Sequence, residues 1–381
     1  MLRSLISDFK KAGHNITNLI DSRLATFNPP LEADKIISVS SRSDLDKSLK
    51  KALKLSEAAY FVAPESDQSI QRLVKEAKDV GKPALNCQVS AINTAANKIT
   101  TYEALRKAGV TFPETLTFSL SETIQQVGRR IRDWGFPLVF KPLIGVSCQG
   151  ISVVNNENEI KMAINQIKTE SSNEFFSVQK LLSGVAASTS LISTGVEAVP
   201  ITLNEQLLTL KSSSSQLRSA YYGGVVPLRH QMEKKALQTA KKAVEALRGL
   251  EGYVGVDMVL TREGPVVLEI NPRLTTSYVG LTKVVDFNPA QAIIDAVVER
   301  KLPRNVQVSG CTYFSKVKIK PPTFKALLES YGLGEVVSPP FPIGDDSETY
   351  ALLASKADEL ETAKVSFETA QKRLDNIVSK E

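Results

Sequence analysis

The chain has 381 residues, 42% hydrophobic and 23% charged, enough for two or three packed units. No apolar run reaches membrane-spanning length, and the amino end MLRSLISDFKKAGHN lacks the apolar core and cleavage site of a signal peptide, so a cytoplasmic location with no membrane partner is expected. The net charge of +6, from 47 basic and 41 acidic residues, is spread over helices such as Lys47 to Lys54 and not banked beside aromatics; this argues against a nucleic-acid partner and suits a polyanionic ligand.

In chain order, Leu2 to Ala12 predicts a helix closed by Gly13, followed by short strands at Ile16 to Leu19 and Ile36 to Val39. Leu45 to Leu55 has helical spacing, Ala58 to Val62 reads as a strand, Ile70 to Val80 as a helix stopped by Gly81, and Ala84 to Asn86 as a last strand. This alternation predicts a parallel α/β unit. Asn97 to Ala108 predicts a helix capped by Thr94 or Asn97 and ended at Gly109. Phe136 to Lys141 and Ile151 to Val154 form a predicted hairpin around the loop Ile144 to Gly150. Glu159 to Thr169 reads as a helix and Phe175 to Lys180 as an edge-like strand.

Three further strands are expected, at Ser188 to Ile192, Glu197 to Asn204 and Gln206 to Lys211, then a long amphipathic helix from Met232 to Leu250. Tyr253 to Leu260 and Pro265 to Ile270 read as strands joined by a tight turn at Thr261 to Gly264, and Pro289 to Arg300 as a helix. The end predicts strands at Thr312 to Lys320 and Glu348 to Lys356, with a helix from Ala357 to Lys380. Cys87, Cys148 and Cys311 are scattered and read as small buried or partly buried residues. His14 and His230 lack any second histidine at ligand spacing, which argues against zinc.

The chemistry concentrates on the Tyr253–Ile270 hairpin. Alternation puts Glu269 and Asn271 on one face, and Asp257 joins them from the neighbouring strand. Three hard oxygen donors suit Mg²⁺, and acids that interrupt apolar strands need a partner or a metal. Lys141 ends a buried strand beside a loop bounded by Gly145 and Gly150, whose backbone can fold over phosphate. Lys98 opens a helix. Arg273 follows Asn271 by two residues and is placed to stabilise charge on a transferring phosphoryl group or an acyl phosphate.

Taken in order, Lys98, Lys141-Pro142 with the loop to Gly150, Gln179-Lys-Leu-Leu182 with Gly184, Asp257, and Glu269-x-Asn271-x-Arg273 resemble the ATP-grasp superfamily. That resemblance implies an α/β and α+β fold: a Rossmann-like amino-terminal domain and two α+β lobes that clasp ATP. The corresponding divisions are residues 1–97, 98–304 (lobes 98–178 and 179–304) and a small β-α cap at 305–381. It further implies that Lys98, Lys141, Gly145, Gly150, Gln179, Lys180 and Leu182 contact ATP, with adenine read by the backbone of the Gln179–Leu182 hinge. Asp257, Glu269 and Asn271 would hold Mg²⁺ or Mn²⁺, and Arg273 and Lys141 would act in catalysis.

A narrower likeness runs through Ala63-Pro-Glu65, Asn97-Lys98, Ala187-Ser-Thr-Ser190, Asn204-Glu-Gln206, Tyr222-Gly-Gly224 and the segment from Gly252 to Gly280. These resemble the tyramine–L-glutamate ligase group of methanofuran-type cofactor biosynthesis. The resemblance implies a small-molecule carboxylate and an amine as substrates, joined through an acyl phosphate, and admits a homodimer. Arg218, Thr275, Thr276 and Tyr278 are the expected substrate residues, although the last three read equally as turn and packing residues. Two departures from the family are expected: an apolar residue in place of its ribose-binding acid near Ala186, and a start at Met1 already inside the helix that follows the family's first strand. Another ATP-grasp amino-acid ligase and a non-catalytic ATP-binding scaffold remain as alternative readings.

Overall fold

The computed structural model describes residues 1–379 except 144, 146, 147, 173 and 344–348. Part of the expected 144–150 loop and the first residue of the Glu348 strand therefore lie outside the described residues.

The amino-terminal part contains helix α1 (Leu2–Lys11), strand β1 (Thr17–Asp21), the short helix α2 (Ser22–Ala25), β2 (Lys35–Val39), and helices α3 (Arg42–Leu55), α4 (Ser69–Asp79) and α5 (Val89–Ala96). β1 and β2 pair in parallel. The strands expected at Ala58 to Val62 and Ala84 to Asn86 reduce to one parallel bridge between Ala59 and Ala84. The reason is local. The Asn86 side chain accepts from the Phe61 N–H at 2.9 Å and donates to the Phe61 carbonyl at 3.0 Å, replacing a backbone ladder. Asn86 is buried, so both backbone groups of Phe61 are satisfied without a strand partner.

The next part holds α6 (Lys98–Lys107), β3 (Thr115–Ser119), α7 (Ile124–Ile131), β4 (Leu138–Pro142), β5 (Ser152–Val154), α8 (Ile160–Glu170) and β6 (Phe175–Lys180). The Asn97 side chain caps α6 by accepting from the Ile99 N–H at 2.9 Å. Four strands form an antiparallel sheet in the order β3-β6-β4-β5. β6 is thus interior and not an edge: β3, unforeseen in the sequence, covers its outer side. α7 was also unforeseen, although Thr123 and Gln126 cap it reciprocally. Phe118, Phe140 and Phe176 stack beneath this sheet.

The remainder contains β7 (Val185–Thr194), β8 (Ala198–Thr209), β9 (Ala220–Val226), α9 (Glu233–Glu245), β10 (Glu251–Leu260), β11 (Pro265–Asn271), α10 (Tyr278–Val284), α11 (Pro289–Val297), β12 (Cys311–Ile319), α12 (Phe324–Ser330), β13 (Val336–Ser338), β14 (Thr349–Ala357) and α13 (Leu360–Val378). Its strands form one eight-stranded sheet, β11-β10-β7-β8-β9-β12-β14-β13. Two expectations change here. The strands expected on either side of Glu205 are the single strand β8, because Glu205 pairs with Ala187 on one side and Val225 on the other. The carboxy-terminal segment is an extension of this sheet and not a separate cap, since β12 pairs with β9 along Thr312–Ser315. Among the described residues no helix is long and apolar enough to cross a membrane.

Candidate active site

The four-stranded and eight-stranded sheets face each other across a cavity of about 360 Å³. Lys98, Lys141, Gly145, Gln179, Lys180 and Leu182 line it from one side; Asp257, Glu269, Asn271, Arg273, Thr275 and Thr276 line it from the other. These are twelve of the fifteen residues singled out in the sequence.

The remaining three stand elsewhere. Gly150, with φ of 69°, gives its N–H to Glu170 at 2.8 Å and packs against Pro142, behind the cavity wall. Arg218 pairs with the other oxygen of Glu170 at 2.8 Å and is half-exposed. Tyr278 is fully buried: it lies one helical turn beyond Thr275, points into the core, and donates its hydroxyl to Asp8 at 2.9 Å. Sequence proximity to Thr275 and Thr276 put Tyr278 near the substrate, but the onset of α10 turns its ring away.

The acidic centre is built by strand register. Asp257 on β10 is the cross-strand partner of Glu269 on β11, and Gly255 is the partner of Asn271. A bulge between Asp257 and Met258 locally bends the pairing. Gly255 is required at its position, because a Cβ there would collide with the Thr275 methyl group. Burial and the adjacent Glu269 push the Asp257 pKa up to about 7, against hydrogen bonds from Asn271 and Gln206. Burial also opposes charge on Glu269, but Lys98, Lys141 and Arg273 together outweigh it and hold that pKa below its ordinary value. The two neighbouring carboxylates therefore titrate apart, Asp257 raised and Glu269 lowered. With the Asn271 amide beside them, the donor set suits a small hard cation.

The cations sit opposite. Lys98 Nζ lies 3.5 Å from Glu269 Oε2 and donates to the Leu143 carbonyl at 3.1 Å. Lys141, at the end of β4, is buried, and burial followed by repulsion from Lys98 lowers its pKa to about 7. Gln179 turns its side chain onto the Thr115 hydroxyl at 2.6 Å. Beyond it, Lys180, Leu181, Leu182 and Gly184 carry the wall past the ends of the sheets. Ala186, near which the sequence is expected to lack the family's ribose-binding acid, lies in the same wall.

Sequence reasoning left several wall residues without a role. Gln206 on β8 donates to Asp257 Oδ1 at 3.1 Å. Tyr221, Ser188 and Ser277 complete the wall near Asp257. Cys148 is half-buried there, and burial with the two acids pushes its thiol up to about 11, an unreactive state. Alternation along β7 and β8 would have put Ser188 and Gln206 on the face turned to Asp257, given the strand order.

A family model described as an ATP-grasp domain matches residues 95–277, and one described as a pre ATP-grasp 3 domain matches residues 14–92. The chain is 29% identical over 249 residues to a tyramine–L-glutamate ligase of Methanocaldococcus jannaschii, a match covering 65% of this chain and 66% of that one, just under two thirds of the relative's length. It is 28% identical over 283 residues to the ligase of the same name from Methanocaldococcus fervens, covering 74% of this chain and 81% of the other. Among solved structures, biotin carboxylase from Campylobacter jejuni superposes with a TM-score of 0.74 over 97% of this chain and 88% of its own, at 16% identity. At that identity the superposition carries the fold alone.

Proposed function

The chain belongs to the ATP-grasp superfamily, and on that premise we propose that it joins a carboxylate to an amine at the expense of ATP, releasing ADP and phosphate. We infer L-glutamate as the carboxylate and tyramine or a similar amine as the acceptor, in the synthesis of a methanofuran-like cofactor. The names of the two curated relatives support these substrates.

The observation that carries the ligase reading is the meeting of two sets of charge in one cavity. Asp257 and Glu269 face each other across β10 and β11, while Lys98 and Lys141 approach from α6 and β4. In this reading the two lysines bind the phosphates and the backbone from Gln179 to Leu182 receives the adenine. Asp257, Glu269 and Asn271 would hold Mg²⁺ or Mn²⁺, which when bound neutralises phosphate charge. Lys141 and Arg273 then stabilise the charge that develops as the γ-phosphoryl group passes to the donor carboxylate oxygen and ADP leaves. The acceptor nitrogen attacks the acyl carbon, expelling phosphate and a proton, and an amide results. Thr275 and Thr276 hold the substrates beside the acids. The protein contributes alignment and electrostatics, because phosphorylation already makes the carboxyl oxygen a good leaving group.

The test is ADP release with Mg²⁺–ATP, L-glutamate and tyramine, each omitted in turn. Turnover should need all three. Asp257→Asn and Glu269→Gln should each lower it by at least about a hundredfold with the far-ultraviolet spectrum unchanged. Full activity in both variants would refute the metal assignment. Absence of turnover with every acid and amine tried, despite tight ATP binding, would refute the ligase reading.

A further inference from the structure

One buried ion pair joins the amino-terminal part of the chain to the acidic centre. Glu65 Oε2 accepts from Arg273 Nε at 2.7 Å, across 208 positions of sequence. Both side chains are largely shielded, with 10% and 19% of their surface exposed for Glu65 and Arg273 respectively. The same guanidinium reaches Asn271 Oδ1 at 3.4 Å and the Leu274 carbonyl at 3.3 Å. Asn271 in turn hydrogen-bonds Asp257. Arg273 therefore stands one amide away from the carboxylates that the metal reading requires.

Glu65 is held firmly for this contact. Asn86 clamps both backbone groups of Phe61, and the Ile70 N–H donates to the Pro64 carbonyl at 3.2 Å. Two and three residues after Glu65, the non-glycine residues Asp67 and Gln68 both adopt positive φ, 53° and 54°, and turn the chain into α4. A merely solvated glutamate needs neither burial nor this restraint.

We propose that Glu65 is a positioning residue that keeps Arg273 beside Asp257 and Glu269 and off them. A buried guanidinium without a carboxylate partner is strongly disfavoured. If Glu65 loses its charge, the carboxylates nearest Arg273 are the two acids, and their pairing with it competes with the cation. This inference rests on the metal site of the ligase reading but not on turnover or on the identity of the substrates.

The experiment measures Mn²⁺ affinity in the presence of ADP by electron paramagnetic resonance, on the full chain. Glu65→Gln should weaken Mn²⁺ binding by about tenfold, in the range found for residues that orient metal ligands. Adding Arg273→Ala to Glu65→Gln should restore affinity to within about twofold of the parent, because the competing cation is gone. A docking role alone predicts no such rescue. Unchanged affinity in Glu65→Gln, or a double variant as weak as the single, overturns the proposal, as does a parent chain that binds no Mn²⁺ with ADP. If Glu65→Gln does not fold, Glu65→Asp, which keeps the charge but withdraws it by one methylene, takes its place; intermediate weakening relieved by Arg273→Ala is then expected, and its absence is equally decisive. A parent that binds Mn²⁺–ADP yet joins no acid to any amine refutes the ligase reading and leaves this comparison intact.

Discussion

Nucleotide binding should draw a proton onto Lys141. Its ammonium is buried at the end of β4, and burial with the neighbouring Lys98 lowers the pKa from 10.5 to about 7. The sign follows from charge. Phosphate favours the protonated lysine, so binding raises this pKa, and affinity declines as pH climbs above 7. At pH 8 only about one free molecule in eleven carries the Lys141 proton, so binding takes up about 0.9 proton per nucleotide. Affinity should weaken by nearly tenfold per pH unit above 8, about 1.4 kcal/mol each, until the pKa of the bound state is reached. Calorimetry of ADP binding without divalent metal, in buffers of different ionisation enthalpy, reads the uptake directly. The measurement belongs in an Asp257→Asn background, because Asp257 titrates in the same range and would add its own proton. Lys141→Met should abolish the uptake. Proton-neutral binding at pH 8, or the same uptake in Lys141→Met, would show that Lys141 is not the group that takes up the proton.

Asp8 gives a stability prediction of definite sign: burial raises its pKa from 3.8 to about 6, against the hydrogen bond from Tyr278. The stability of its protonated form is fully present below pH 3.8 and lost as pH rises through 6, at most about 3 kcal/mol for a two-unit shift. Asp8→Asn keeps an acceptor for Tyr278, so it should raise the melting temperature at pH 8 and not at pH 4; equal shifts at both would count against this account. Gly255→Ala places a methyl against the Thr275 methyl and within 3.5 Å of Asn271 Cβ. It should cost about 1–3 kcal/mol and raise the substrate KM more than nucleotide affinity, and Thr275→Ser, which deletes the opposing methyl, should restore both. A double variant no better than Gly255→Ala would show that the strain lies elsewhere.

The residues whose meeting was legible in the sequence are those brought together by a local pattern. Asp257 and Glu269 interrupt apolar strands, and a tight turn fixes their partnership, so period two suffices to bring them together. Lys141 marks the end of a buried strand beside a glycine-bounded loop, a local signal, whereas Lys98 stands out only through the family resemblance. Two of the strand errors share one cause. A polar residue on a strand signals water or a ligand, and local sequence does not distinguish them. β6 reads as edge-like and carries Ser177 and Gln179, yet both are buried, and Gln179 lines the cavity. Asn204-Glu-Gln206 reads as a break between strands, yet Gln206 reaches Asp257 from the middle of continuous β8. The inclusion of β12 and β14 in the large sheet depends on register between distant segments, for which no local pattern exists. Glu65 shows the limit most clearly. As part of Ala63-Pro-Glu65 it was a motif residue without chemistry, because its partner lies 208 positions away. With Glu65 in place, three acids, Glu65, Asp257 and Glu269, stand against three cations, Lys98, Lys141 and Arg273. With Arg273 held by Glu65 both Asp257 and Glu269 are left to face a cation, whereas a pairing of Arg273 with either of them would withdraw that carboxylate, so the ligand affinity of this cavity depends on which acid holds Arg273 as much as on which residues line the wall.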